Sequence, residues 1–282
     1  MRKSRWQPTL LIRTSVVLHL LALIAVITEP LQWRWALGAV LANHALLTLA
    51  GLWPRSHWLG PNWTQLPATA IARNEIALTI DDGPDPIVTP RVLEMLDRYA
   101  IQATFFCVGE KAARYPDLCR EIVRRGHAVE NHSQHHRHYF ALMGFSGFMR
   151  EVQAAQDTLT AITGQSSLFF RAPAGLRNPF LDPVLVHLGL QLASWSVRGF
   201  DTRISDVERV KNKLLRGLQA GAILLVHDGN AARTSDGIPV ILEVLPAILS
   251  SAAAAQLRFV TLRQASRSGL VSILPHSAEN KP

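Results

Sequence analysis

The stretch NHSQHHRHYF, residues 131–140, places four histidines, His132, His135, His136 and His138, within seven positions. Two histidines at i, i+4 can share a divalent ion with a carboxylate from elsewhere. One carboxylate and two imidazoles suit Zn²⁺, Co²⁺ or a similar ion and leave positions open for water and substrate. Such an ion lowers the pKa of water and polarises a carbonyl, which is the chemistry of amide or ester hydrolysis. A second carboxylate would take the water's proton, and a separate histidine would protonate the leaving group. The chain offers these groups at Asp81 and Asp82 in TIDDGP (79–84), Arg171 in RAPAG (171–175), Arg198 and Asp201 in WSVRGFDT (195–202), and His227 and Asp228 after ILLV. Each piece has a plainer reading when taken alone. DDGP is a turn, a histidine pair is a solvated surface, RAPAG shapes a loop, and His227 ends a strand.

The elements that must position these groups follow from periodicity. Short β-rich runs occur at 76–80, 103–108, 127–130, 167–170, 190–197, 222–226 and 259–262. Amphipathic helical stretches lie at 89–100, 115–126, 146–164, 206–221 and 237–256, the first with Thr89 as N-cap and Pro90 in the first turn. Strands alternating with helices predict right-handed crossovers and a mainly parallel sheet. Seven strands without a dinucleotide-binding loop predict an α/β fold built as an incomplete (β/α)7-type barrel. In a parallel barrel the working residues lie just past the C-terminal strand ends. Five strand ends here deliver ionisable groups to that rim.

In this order and spacing the motifs resemble those of the polysaccharide deacetylases, carbohydrate esterase family 4, over about residues 75–265. The resemblance implies a metal-dependent carbohydrate deacetylase, a hydrolase of carbon–nitrogen bonds other than peptide bonds. It implies Asp81 as catalytic base, and Asp82, His132 and His136 as ligands of a divalent metal, Zn²⁺ with Co²⁺ or Ni²⁺ as alternatives. Ser133 would brace the histidine loop, and Arg171 would pair with Asp81. Pro173 and Ala174 would belong to the oxyanion and substrate groove, with the Ala174 N–H facing the oxyanion. Tyrosine is frequent in the family where Ala174 stands, and tryptophan where Thr202 stands. Trp195 and Leu225 would line the substrate pocket, and His227, oriented by Asp201, would be the general acid. His135 and His138 remain as neighbours outside the ligand set.

The 282 residues carry a net charge of +8, yet the charge is unevenly placed. Residues 1–60 hold six Lys/Arg and one acid, Glu29, while the remainder holds 23 basic and 20 acidic groups. A folded domain so balanced argues against nucleic acid as a partner. Two apolar stretches, from near Leu10 to 28 and over 35–53, approach the roughly 20 residues of a spanning helix. Arg13, His19, Asn43 and His44 interrupt them. A cleaved signal peptide and buried helices of a soluble protein are the alternatives to a transmembrane hairpin. Trp33, Trp35, Trp53 and Trp58 suit an interface, and Arg2, Lys3, Arg5 and Arg13 place the N-terminus inside.

The expected organisation is a membrane region at 1–54, a linker at 55–74, a catalytic domain at 75–265 and a tail at 266–282. A two-span anchor implies a bacterial-type inner membrane with the domain facing the cytoplasm, and a single span would put it on the periplasmic face. The expected partners are the membrane and an acetylated glycan or lipid-linked amino sugar. N-acetyl removal from a cell-envelope or polyprenyl-linked glycan is the leading function. A deformylase, an O-acetyl esterase on a lipid-linked sugar, and a non-catalytic membrane protein retaining its metal are the alternatives. Cys107 and Cys119 do not decide the compartment.

Overall fold

In the computed structural model, which describes residues 5–271, strand β1 (Glu75–Gly83) is buried along its whole length. Its side chains alternate between two environments, as the two-residue period of a strand requires. Ile76, Leu78 and Ile80 face one apolar cluster, packed beneath helices, while Ala77 faces another, with Phe106, Trp195, Ile223 and Leu225. Thr79 and Asp81 continue the second face towards the strand's C-terminal end.

The elements follow the chain as α1 (Leu10–Thr28), α2 (Trp33–Leu52), α3 (Ala68–Ile71), β1, α4 (Val88–Arg98), β2 (Thr104–Cys107), α5 (Gly109–Arg114), α6 (Pro116–Arg124), β3 (Ala128–Asn131) and α7 (Phe145–Thr163). Then come β4 (Phe169–Phe170), α8 (Leu181–Leu188), β5 (Gln191–Leu192), β6 (Val197–Arg198), α9 (Val207–Leu215), β7 (Ile223–His227), α10 (Val240–Ala254), β8 (Arg258–Phe259) and α11 (Leu262–Val271). All strand pairs are parallel, in the order β5-β4-β3-β2-β1-β7-β6, with β8 against the start of β1. The sheet is the expected incomplete, curled barrel, with eight strands where seven were expected.

The extra strand comes from the run at 190–197, which is not continuous. It divides into β5 and β6, at opposite edges of the sheet, joined only by residues 193–196. Four extended residues reach roughly 13 Å, so the two edges must curl towards each other. The remaining gap is filled by Trp63, whose N–H donates to the Leu192 carbonyl at 2.9 Å and whose carbonyl accepts from Ser194 N–H at 2.9 Å. The stretch read as a linker at 55–74 is therefore part of the barrel wall. Leu66 N–H also bonds the Gly221 carbonyl, and α3 packs under the barrel floor. Prolines and missing periodicity mark irregular backbone, which here is buried irregular backbone.

Other expectations shift in detail. Helix α4 begins one residue before Thr89, with Ile87 at the cap and no side-chain cap bond. The Thr89 hydroxyl instead accepts from Asp85 N–H and donates to Asp228. Arg2, Lys3 and residues 272–282 lie outside the described residues. The first part of the expected tail, up to Val271, is the second half of α11.

Helices α1 and α2 form an antiparallel pair joined by a short 3₁₀ turn at Pro30–Gln32. Both are long and apolar enough to cross a membrane. Three of the polar residues that interrupt them partner across the pair. Asn43 Nδ2 donates to Ser15 Oγ at 2.8 Å in a buried contact, and His19 Nε2 lies 3.3 Å from His44 Nε2. Both open ends return to the barrel. Trp6 Nε1 donates to Asp182 on α8 at 2.8 Å, and Thr9 Oγ1 donates to the Trp58 carbonyl. At the end of α2, Gly51 lies against the Arg177 backbone so closely that an added Cβ would come 2.1 Å from the Arg177 carbonyl oxygen.

Candidate active site

Asp81 and His227 are register partners on β1 and β7, so one pair of adjacent strand ends delivers both to the same mouth of the barrel. Asp81 faces inward, 3% exposed, and its Oδ1 accepts from Arg171 Nη1 at 2.6 Å. Arg171 follows β4 and is fully buried, with its hydrogen-bonding capacity used on several sides. Nη1 also reaches Thr79 Oγ1 at 2.8 Å, Nε the Ala193 carbonyl at 3.0 Å and Nη2 the Ser194 carbonyl at 2.7 Å. Its guanidinium carbon lies 4.1 Å from the Phe106 ring centre. Burial lowers the Arg171 pKa and Asp81 partly restores it, and an arginine so placed keeps its charge. The pair is a buried carboxylate held beside a fixed cation.

The next residue points elsewhere because the backbone turns. The β1–β2 register slips between Asp81 and Gly83, and Asp82 takes a left-handed φ of 70°. Non-glycine residues rarely adopt that region, and such conformations concentrate where side chains are aimed for function. Ser133 (φ 65°), His136 (φ 49°) and Ala174 (φ 54°) share it. The turn swings the Asp82 carboxylate to the histidine loop after β3. Its Oδ1 lies 3.1 Å from His132 Nε2 and 3.1 Å from His136 Nε2.

That cluster tests whether a metal fits. One ligand atom from each of Asp82, His132 and His136 lies within 4.8 Å of the others. His132 Nδ1 is 2.8 Å from the Arg171 carbonyl oxygen, which only accepts, so Nδ1 carries a proton and Nε2 faces Asp82. A bare imidazole lone pair facing a carboxylate repels it, so a proton or a cation must lie between them. The donor set of one carboxylate and two imidazoles fits Zn²⁺, Co²⁺ or Ni²⁺. Burial alone pushes Asp82 upward, but hydrogen bonds from His132 and His136 outweigh it and hold the group well below the usual carboxylate range. His136 is raised: burial disfavours its charge, and Asp82 more than compensates.

The loop is braced from within. Ser133 N–H donates to Asn131 Oδ1 at 2.9 Å, and Ser133 Oγ accepts from His136 N–H at 3.0 Å. His135 turns away to Glu151 of α7, its Nδ1 2.7 Å from Oε1, and His138 is exposed. Of the four histidines in the loop, the structure brings two to Asp82.

The third group is Asp201 with His227. Asp201 is wholly buried, and its two oxygens meet His227 at Nδ1 (2.9 Å) and at the backbone N–H (2.7 Å). Burial works against charge on His227, but Asp201 outweighs it and raises the imidazole above its usual range. Leu225, two residues earlier on the same face of β7, is buried beside Trp195 and Phe106. Pro173 is buried and Ala174 exposed on the one-turn 3₁₀ segment after Arg171, so the exposed Ala174 leaves that turn open to solvent.

Sequence reasoning passed over two groups that touch Asp82. Asn230 Nδ2 donates to Asp82 Oδ2 at 3.1 Å, and Lys111 Nζ donates to the Asp82 carbonyl at 2.7 Å. Asn230 lies three residues past β7, where the strand-end rule could have found it. Lys111 lies inside α5, and nothing in its local pattern marks it. Asp228 is fully buried, and burial raises it to about 7 despite donors from Thr89 and the Gly229 N–H.

The family profile for polysaccharide deacetylase matches residues 70–193. A chitooligosaccharide deacetylase of Azorhizobium caulinodans is 36% identical over 165 residues, covering 57% of this chain and 78% of that protein. A peptidoglycan-N-acetylglucosamine deacetylase of Bacillus cereus is 30% identical over 191 residues, covering 67% and 86%. Among solved structures, the family 4 carbohydrate esterase from Streptomyces lividans in complex with acetate superposes with a TM-score of 0.59 at 29% identity, covering 66% of this chain and 91% of that one. A family 4 pseudoenzyme from Bacillus anthracis shares the fold at a TM-score of 0.61 and 21% identity, covering 68% and 65%, so the fold by itself does not fix activity. By profile and by sequence identity across most of these relatives' length, the chain belongs to the polysaccharide deacetylase family.

Proposed function

We propose that the chain is a metal-dependent deacetylase that removes the N-acetyl group from an amino sugar of a cell-envelope or polyprenyl-linked glycan, working from a membrane anchor. The observation that carries this reading is the convergence of Asp81–Arg171, Asp82–His132–His136 and Asp201–His227 on one mouth of the barrel. The deacetylase relatives support the substrate class.

Asp82, His132 and His136 would hold the ion, which when bound supplies positive charge for carbonyl polarisation and water activation. Asp81 then has the place of general base. Arg171 binds its Oδ1 and fixes its orientation, leaving Oδ2 for the proton of the attacking water. Ala174, the exposed residue of the turn at Pro173–Gly175, offers its N–H as a donor to the negative oxygen that develops. His227 has the place of general acid. Its Nδ1 is committed to Asp201, so the proton given to the departing amine comes from Nε2. Trp195 and Leu225 form the apolar wall beside these groups.

The hairpin supports a membrane location by its length and exposed apolar surface. Both of its open ends lie on the barrel, which favours one side of the membrane for the N-terminus and the domain together. With Arg5 and Arg13 at that end, we assign the cytoplasmic face. The boundaries 1–54 for the membrane region and 75–265 for the catalytic core fit this reading, with 55–74 joining them as barrel wall.

The test is acetate release by the full chain in detergent, with added Zn²⁺, from chitooligosaccharides, peptidoglycan fragments and prenyl-phosphate-linked N-acetylglucosamine. Metal-dependent release that falls at least 10²-fold in both Asp81→Asn and His227→Ala is the expected result. Release that persists in either variant would overturn the assigned roles.

A further inference from the structure

Between the end of α2 and the catalytic mouth lies a cavity of about 420 Å³ bounded by Trp53, Arg55, Trp195, Arg198 and Phe200. It is not a gap between loosely joined parts. Pro54 is wedged against the RAPAG turn, where Gly175 has a φ of +75°, and an added Cβ there would come 2.5 Å from Trp195 and 2.7 Å from Pro54. Ser194 Oγ donates to the Pro54 carbonyl at 2.7 Å. The segment that leaves a candidate membrane helix therefore packs on the same turn as the tryptophan placed at the catalytic mouth.

The cavity carries two cations that the catalytic groups leave free. Arg198 is half-buried, with its guanidinium carbon 5.2 Å from the Trp195 ring centre and 5.1 Å from that of Phe200. Its Nε is buried without a hydrogen-bond partner among the described residues. The nearby carboxylates are already engaged, Asp81 by Arg171 and Asp201 by His227. Arg55 is exposed and spends one Nη1 contact, at 3.3 Å, on the Ser196 carbonyl. Lys213 adds a third positive charge, its Nζ 5.4 Å from the Phe200 ring centre. No hydrogen bond to a described residue engages the Arg198 terminal nitrogens, which are not covered as Nε is, so they are open to an anion. Planar guanidinium groups match phosphate oxygens in pairs.

We propose that this cavity is a phosphate subsite, in which Arg198 and Arg55 bind the phosphate or diphosphate of a membrane-embedded, lipid-linked amino sugar. The sugar extends past Trp195 to Asp81, and the hydrocarbon tail leaves along Trp53 and the exposed side of α2. The assignment rests on the deacetylase reading above and narrows its substrate to an anionic, lipid-borne sugar. Other exposed apolar side chains agree with a mouth held at a bilayer surface. Leu142 and Phe180 lie on loops tied together by Asn178, whose Nδ2 donates to the Ala141 and Met143 carbonyls. The neighbouring Arg177 N–H in turn binds the Gly51 carbonyl at the end of α2.

The experiment compares three substrates on the full chain in detergent micelles: N-acetylglucosaminyl phosphate with a short prenyl tail, the same sugar phosphate without the tail, and neutral N,N′-diacetylchitobiose. Deacetylation is followed together with equilibrium binding of a fluorescent short-chain prenyl phosphate. We expect the tailed phosphate to show the lowest KM. Arg55→Gln and Arg198→Gln should each raise that KM about tenfold and weaken probe binding, and the KM of the neutral substrate should change by a clearly smaller factor. Equal KM for the tailed and untailed phosphates, both sensitive to the arginines, would overturn the lipid part and leave a soluble sugar phosphate as ligand. Hydrolysis of all three substrates without arginine dependence would overturn the subsite and leave the deacetylase reading standing. Arginine-dependent probe binding with no hydrolysis of any substrate would do the reverse, and the absence of both would overturn both.

Discussion

Asp201 holds His227 at two points, accepting from the ring Nδ1 at 2.9 Å and from the same residue's backbone N–H at 2.7 Å. One carboxylate thus fixes both the tautomer and the position of the imidazole. In Asp201→Asn the amide keeps the shape and loses the charge that raises His227 above its usual range. An acid must carry its proton to act, so activity is present below the His227 pKa and fails as pH rises through it. The variant should bring the alkaline limb of kcat/KM to lower pH and reduce kcat by about 10²-fold. A pH–rate profile of the two proteins checks both, and an unmoved limb would remove His227 from the acid role.

The metal cluster predicts a graded series. His132→Ala and His136→Ala should each weaken retention of Zn²⁺ by more than about 100-fold, beyond what loss of an outer partner costs, and His135→Ala should not, because His135 is turned towards Glu151. Asn230→Ala should fall between them, since it removes a donor that orients the Asp82 carboxylate, and such outer partners are worth about 10–100-fold in affinity. Metal content after dialysis against a competing chelator gives the order.

Arg171 and Asp81 are both buried, so removing one strands the other. Arg171→Met should cost about 3–5 kcal/mol of stability, in line with broken buried pairs. The double variant Asp81→Asn/Arg171→Met should recover part of that loss. Equal destabilisation in the single and double variants would show that the Thr79, Ala193 and Ser194 contacts of Arg171 matter more than the ion pair.

His127 predicts an acid sensitivity away from the catalytic mouth. Its Nδ1 accepts the Ala103 N–H at 3.1 Å, its Nε2 is buried without a partner among the described residues, and burial lowers its pKa to about 4. A base lowered in the folded state contributes its full stability above the unfolded value near 6.5. That contribution is lost as pH falls from there towards 4, at about 1.4 kcal/mol per pH unit and about 3 kcal/mol in all. His127→Gln, which can still accept the Ala103 N–H, should therefore lose less Tm than the parent between pH 6.5 and 4.

The sequence by itself determined a good deal of this protein. The period-two and helical patterns gave the parallel sheet and most of its helices, because alternation and amphipathicity follow directly from which faces are buried. Position just past a strand end was enough to select Asp81, Asp82, the histidine loop as a whole, Arg171, Arg198, Asp201, His227 and Asp228, since parallel strands bring their C-terminal ends to one rim, and the family resemblance then separated His132 and His136 from their neighbours. The apolar composition from near Leu10 to 28 and over 35–53 was enough to mark α1 and α2.

Only the tertiary structure decided the rest. Irregular backbone has no period, so nothing local showed that Trp63 pairs with Ala193 to close the wall, or that 190–197 divides between two edges. The backbone twist that sends Asp81 to Arg171 and Asp82 to the histidines is a left-handed turn at a non-glycine residue, a conformation that aspartate tolerates but that the local sequence does not impose. Lys111 reaches Asp82, and Arg55 reaches the cavity beside Arg198, from places that no local pattern marks. Long-range contacts of this kind depend on how the barrel curls and where the end of α2 seats on it, and both are properties of the closed chain.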